Sequence, residues 1–212
     1  ERFKWAIQTL KTKFSGDLTR FDTEYPLSPQ IAFTSSARSP LPQVKVQDRI
    51  DQLAGTSPII NTGVLFDAVG ILKPGPDDWQ IYQEPEAQHQ YIVSVDTAHG
   101  VEEGDFSCIQ VLDRTERIQV AEYYARTPPD VVAAQAHNVA AHYNEALIVP
   151  EIDGPGLAVV KELLDFGYNN LYVRSINSTN WTQRYGFRTQ AKGERDAMIA
   201  ALGQAIRLDT HT

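Results

Sequence analysis

From Tyr91 the chain shows its clearest pattern. Three runs rich in β-branched and aromatic residues, 91–96, 107–112 and 117–124, succeed one another. Asp113 to Glu116 separates the last two and reads as a tight turn, so the pattern predicts three sequential strands in a meander. Beyond them the apolar spacing becomes helical. "TPPDVVAAQAHNVAAHYN" predicts a helix with Pro128 or Pro129 near its start, where a missing N–H costs nothing. "ALIVPEI", residues 146–152, predicts a short apolar strand, and "GLAVVKELLDFG" an amphipathic helix closed by Gly167. "NLYVRSI" predicts a further strand and "GERDAMIAALGQAIRL" a last helix. The order β-β-β-α-β-α-β-α predicts an α/β fold. Its mixed sheet has a three-strand meander followed by parallel crossover strands, with helices on its faces.

The first ninety residues are less regular. Residues 1–14 read as an amphipathic helix entered partway through, as in a piece of something longer. "SGDLTRFDTEYPLSPQIAFTSSARSPLP" is rich in Pro, Ser and Thr and predicts an extended connector. "QVKVQDRIDQLAG" predicts a helix ended by Gly55, and "TGVLFDAVGILKPGPDDWQIY" short strands around turns. No internal repeat and no low-complexity segment is present.

Composition narrows the class. Of 212 residues, 42% are hydrophobic and 22% charged, which is ordinary for a globular chain with a substantial core. The lone cysteine, Cys108, excludes an internal disulfide. Its place in a strand-like run predicts a buried, inert thiol and a reducing compartment. No stretch reaches the length of a membrane span and no signal peptide opens the chain. The net charge of −8 is unevenly spread: residues 1–50 carry +3, residues 51–170 carry −14 and residues 171–212 carry +3. An acidic centre suits a cation site or a solvated surface, and basic flanks suit a phosphate-bearing substrate.

The acids fall at strand ends. Asp96 closes the first strand; Glu151 and Asp153 close the fourth, two apart and so able to share a face. If the two strands are neighbours, Asp96 and Glu151 converge at one edge. Carboxylate oxygens there suit Mg²⁺ or Mn²⁺, and two such ions can drive phosphodiester hydrolysis. Simpler roles compete. Strand-ending acids often form turns or caps, and Asp153, before Gly154 and Pro155, reads as a cap of the next helix. Glu102, Glu103 and Asp105 read as a solvated loop. His99 stands without a partner at ligand spacing, and His137 and His142 lie five apart, out of step for one zinc-binding helix face. Neither Ser107 nor Cys108 sits in a nucleophile motif, and there is no phosphate-binding P-loop or dinucleotide fingerprint.

Taken in order, five stretches resemble the large subunit of the tailed-bacteriophage terminase, the motor-nuclease that packages viral DNA. "FDTEYPLSPQIAF" resembles the segment joining the family's ATPase half to its nuclease half. "VSVDTAHGVEEGDFSCIQVLD" is similar to the first two nuclease strands, with the first metal-binding aspartate at Asp96 and the loop aspartate at Asp105. "VPEIDGPGLAVVKEL" resembles the second acidic motif, which places the second ligand at Glu151 with Asp153 beside it. "GYNNLYVR" and "YGFRTQAKGERDAMIAAL" resemble the family's next strand and its Gly-Phe-x-Thr…Lys segment, with Thr189 and Lys192 at the matching positions. The resemblance implies an RNase H-like fold and cleavage of double-stranded DNA with two Mg²⁺ or Mn²⁺ ions. It makes residues 1–55 a connector from an ATPase half and 56–212 the nuclease domain, incomplete at its C-terminus. The family's third acid is expected beyond the last helix, so Asp209 is not assigned to it. It also implies a site in the host cytoplasm, with the terminase small subunit and the portal as partners of the full-length protein and no membrane. Arg184, Arg188, Lys192 and Arg195, with Trp181 and Tyr185 among them, are the candidate phosphate contacts. Two other readings fit the same acids: a Holliday-junction resolvase or transposase-like nuclease of the same superfold, or a non-catalytic module that binds DNA or motor partners.

Overall fold

The computed structural model describes residues 2–26, 41–54, 56, 59–190 and 192–208. Residues 27–40 of the connector expected over 15–42 lie outside these, as does Gly55. The chain divides into two compact units, one of Glu1–Thr56 with Asp196–Thr212 and one of Ser57–Arg195.

In the first unit, helix α1 (Arg2–Phe14) is followed by α2 (Leu18–Glu24) and α3 (Gln43–Leu53). The start of the expected connector is thus helical, for a local reason. Asp17 caps α2 by accepting a hydrogen bond from the Arg20 N–H at 3.1 Å. Phe21 is then buried with Ala6 and Phe14, and Leu10 and Tyr25 pack around them. The Phe14 and Phe21 rings meet edge to face at 5.8 Å.

The second unit carries strands β1 (Asn61–Thr62), β2 (Val64–Phe66), β3 (Leu72–Pro74), β4 (Trp79–Ile81), β5 (Tyr91–Asp96), β6 (Ser107–Asp113) and β7 (Ile118–Ala125). Helix α4 (Pro129–His142), β8 (Leu147–Pro150), α5 (Gly156–Asp165) and α6 (Trp181–Arg184) come after them. The last helix, α7 (Lys192–Leu208), has its first residues in this unit and the rest in the first. Strands β2 and β3 form a separate hairpin; the others make one six-stranded sheet in the order β1-β4-β7-β6-β5-β8. The β5-β6-β7 meander is antiparallel and β8 lies parallel to β5, which is the mixed α/β sheet expected of an RNase H-like fold.

Strand alternation separates the two faces of this sheet. Val93, Val95, Ile109, Val111, Ala121, Tyr123 and Ile148 are buried together on one face with Val132, Ala136, Val139 and Ala140 of α4. The register partners Asp96, Cys108 and Tyr124 share the opposite face, where Asp96 and Tyr124 are exposed. Cys108 is therefore half-buried rather than a core residue; a strand-like run does not reveal which face covers its side chains. Burial pushes its thiol up to about 11, helped by the Glu122 and Asp96 carboxylates, so the sulfur stays protonated and unreactive.

The strand expected over "NLYVRSI" is reduced to isolated bridges, Leu171 with Ile148 and Val173 with Tyr185. Among the described residues, no helix is long and apolar enough to cross a membrane.

Candidate active site

The parallel pairing of β5 with β8 sets Val95 opposite Pro150, both buried. The next residues, Asp96 and Glu151, therefore emerge side by side on the face away from α4 and α5. Pairing continues past β8 through the backbone. The Glu151 N–H donates to the Val95 carbonyl at 2.8 Å, and the Ile152 N–H donates to the Phe187 carbonyl at 2.9 Å. The Phe187 N–H in turn donates to the Pro150 carbonyl at 2.8 Å. Glu151 is thus clamped between β5 and the segment 185–187.

Two glycines allow this clamp. At Gly186, φ is +81° and an added Cβ would run into the Ile152 side chain and come within 3.1 Å of the Pro150 carbonyl oxygen. At Gly156 an added Cβ would collide with the Glu151 carbonyl oxygen.

The same segment delivers the polar partners. The Thr189 hydroxyl donates to Glu151 Oε1. Asp153 Oδ2 accepts hydrogen bonds from the Thr189 and Gln190 N–H groups, each at 2.8 Å, and Asp153 Oδ1 lies 3.8 Å from Arg188 Nε. Asp153 does not cap α5, whose N-cap is Pro155 without a side-chain bond. Its carboxylate instead holds the turn 188–190 through those N–H groups.

Electrostatics at the pair are those of crowded acids. Burial raises the Glu151 carboxyl above its ordinary value; the Thr189 hydroxyl pulls it down, and the Asp96 and Asp153 carboxylates push it up again. Asp96 acts on Glu151 at hydrogen-bonding range, so one proton or one cation between the two relieves the repulsion. The donors are hard oxygens, the set that Mg²⁺ and Mn²⁺ favour, so the residues present fit a divalent ion. Among the described residues, no group of three or more His, Cys, Asp or Glu side chains is placed to hold a metal ion. The fit thus rests on the Asp96–Glu151 pair.

The other sequence-predicted residues lie around it. Asp105 is exposed in the β5–β6 loop and is not among the acids acting on Glu151. Arg184 is half-buried, with its Nε enclosed and without a hydrogen-bond partner among the described residues, and its guanidinium lies 5.5 Å from the centre of the Tyr185 ring. Arg188 and Arg195 are exposed; the Lys192 side chain lies outside the described residues. Arg174, within the positively charged stretch 171–212, donates to the Thr182 and Gln183 carbonyls at 3.1 and 2.9 Å and so holds α6. The role of Asp153 in the turn had no sequence signal, since its partners are backbone groups 36 and 37 residues away.

No family model matches the chain, and no curated protein matches it in sequence. Solved structures similar to it are large terminase nucleases of phages. That of thermophilic phage G20c, solved with bound cobalt and with bound magnesium, aligns at 16% identity and a TM-score of 0.49, over 61% of this chain and 60% of that one. The Thermus phage P74-26 large terminase nuclease domain aligns at 16% identity and a TM-score of 0.46, over 61% of this chain and 58% of that one. The chain therefore spans about three-fifths of each of these structures.

Proposed function

We propose that this chain carries the nuclease domain of a phage DNA-packaging terminase, cutting double-stranded concatemeric DNA by two-metal hydrolysis with Mg²⁺ or Mn²⁺. The observation that carries the reading is the convergence of Asp96 and Glu151 at the ends of adjacent parallel strands, inside a clamp that holds Glu151 from both sides. Divalent ions there supply the charge that lowers the pKa of a water and neutralises the departing oxygen. Asp96, exposed at the end of β5, would be one of the residues that hold such ions. Glu151 has one oxygen engaged by Thr189, which leaves its other oxygen for a cation shared with Asp96. Asp153 sets the turn that carries Thr189, a positioning role that acts on Glu151 through the Thr189 hydroxyl. Arg184, Arg188, Lys192 and Arg195 contact phosphates without reading bases, as a cutter without sequence preference requires. Through the rest of the protein the domain meets the terminase small subunit and the portal in the host cytoplasm.

Calorimetric titration with Mn²⁺ tests the pair directly. Asp96→Asn keeps the shape and removes one charge, so Mn²⁺ affinity falls at least tenfold while the metal-free variant is no less stable than the parent. In parallel, supercoiled plasmid is nicked in Mn²⁺ and protected by EDTA. Equal Mn²⁺ affinity in parent and variant would place the metal elsewhere, and cleavage confined to four-way junctions would favour the resolvase reading.

A further inference from the structure

Resting on that reading, we infer that Arg126 is a phosphate-gripping residue of the same face, held ready by an aromatic stack that the sequence did not single out. Tyr124, near the end of β7, and Arg126, just beyond it, lie two apart and are both exposed, with Tyr124 on the Asp96 side of the sheet. Phe106, from the β5–β6 loop, inserts between them. Its ring stacks on Tyr124 at 4.3 Å and 9° between planes, and the Arg126 guanidinium lies 4.0 Å from its centre. Same-face neighbours on a strand stand about 6.6 Å apart, room for one ring between two flat groups. Arg126 Nε donates to the Gly104 carbonyl at 2.8 Å.

The platform is anchored at its base. Gly100, at φ +72°, packs so closely that an added Cβ would lie 2.5 Å from the Pro128 nitrogen and the Thr127 carbonyl carbon. Tyr123 and Thr127 hydroxyls bond at 2.9 Å. Stack, carbonyl and anchored loop together fix the guanidinium, which lowers the entropy lost when it grips an anion.

What the guanidinium does not do is equally informative. Glu102, Glu103 and Asp105 sit on the same loop, yet among the described residues Arg126 makes no ion pair with any of them. Arg126 is exposed, and among the described residues its hydrogen bond is made through Nε and not through its two terminal nitrogens. Tyr124 is in register with Cys108 and Cys108 with Asp96, so the stack stands about two strand spacings, roughly 10 Å, from the proposed cutting site. Arg184 and Arg188 lie on the β8 side of Asp96, and Arg126 on the β7 side. A duplex crossing the carboxylate pair is then held on both flanks.

The test is duplex binding by fluorescence anisotropy across a salt series without divalent metal. One lost phosphate contact lowers the log–log salt slope by about 0.9. Arg126→Ala shows that drop with about tenfold weaker binding, while its Mn²⁺ titration matches the parent. Phe106→Leu keeps the charge and the salt slope but weakens binding, because the guanidinium loses its support. A purely structural Arg126 would lower the melting temperature and leave the slope unchanged, which would overturn the inference. Equal affinity in Phe106→Leu and the parent would overturn the role given to the stack. If the parent itself binds no duplex, this inference fails together with the nuclease reading; if it binds and cuts with the Arg126→Ala slope unchanged, only this inference fails.

Discussion

His89 Nδ1 lies 2.7 Å from an Asp113 carboxylate oxygen whose side chain is wholly buried. Burial alone would raise the Asp113 carboxyl, but hydrogen bonds from His89 and from the Glu116 and Thr115 N–H groups outweigh it and hold it low. The bond to Asp113 raises the His89 imidazole, and nearby Glu86 and Glu116 add to this. Asp113 thus stabilises the fold above the unfolded aspartate value of about 3.9, and this is lost as pH falls through its lowered folded value. His89 stabilises it fully below the unfolded histidine value of about 6.5, and this is lost as pH rises through its raised folded value. Replacing His89 by Ala therefore lowers the melting temperature most between about pH 4 and 6.5, and the difference from the parent narrows toward pH 9. Thermal melts across that range check it; a difference that does not vary with pH would mean the imidazole is neutral throughout. Residue-scale legibility has a clear limit here. Asp113 was readable as a turn former, and the Thr115 and Glu116 N–H bonds agree, because those contacts are local. Its partnership with His89 spans 24 residues and leaves no local trace. Asp96 and Glu151 stood out because each comes at the end of a run of strand residues. Thr189 was visible only through the family resemblance, and Arg126 not at all, since an exposed arginine after a strand is ordinary.

At the scale of elements, the meander, both crossover helices and β8 were legible because period two and helical spacing alternate cleanly from Tyr91 onward. The segments that finish the site were not. Residues 170–176 and 185–190 pair in isolated bridges with each other and with the end of β8, and this depends on one glycine. Gly167 and Gly186 both have positive φ, but an added Cβ meets nothing within 4 Å at Gly167, whereas at Gly186 it strikes Ile152. An alanine at Gly167 costs only the left-handed backbone term, about 1 to 2 kcal/mol. At Gly186 the crowding adds about 1 to 3 kcal/mol more and forces the 185–187 segment away from Glu151. Denaturant melts of the two variants read the stability difference, and Mn²⁺ titration reads the displacement. Gly186→Ala loses both stability and Mn²⁺ affinity, whereas Gly167→Ala keeps its affinity. Equal stability losses would mean that the close approach of this segment to β8 is not needed.

For the molecule as a whole, charge sets the terms of any encounter with DNA. Residues 51–170 carry −14, and a duplex would be repelled by them without compensation. Cations at the proposed carboxylate site would offset part of this locally, and the positive balance of residues 171–212 would offset more. Sequence alone separated these regions, but not which basic groups are free. Arg174 is committed to backbone carbonyls, and Arg188 lies 3.8 Å from Asp153. At that distance the Arg188 contact is a loose ion pair, easily exchanged for a phosphate. Changing Arg184, Arg188 and Lys192 together to Ala removes up to three phosphate contacts, so the salt slope of duplex binding flattens by about 2 to 3 units. Mn²⁺ affinity stays near that of the parent, because the loss of Arg188 leaves the backbone bonds from Thr189 and Gln190 to Asp153 in place. An unchanged slope in the triple variant, with Mn²⁺ binding intact, would move the DNA path to the basic residues 1–50 while leaving the carboxylate site where it is.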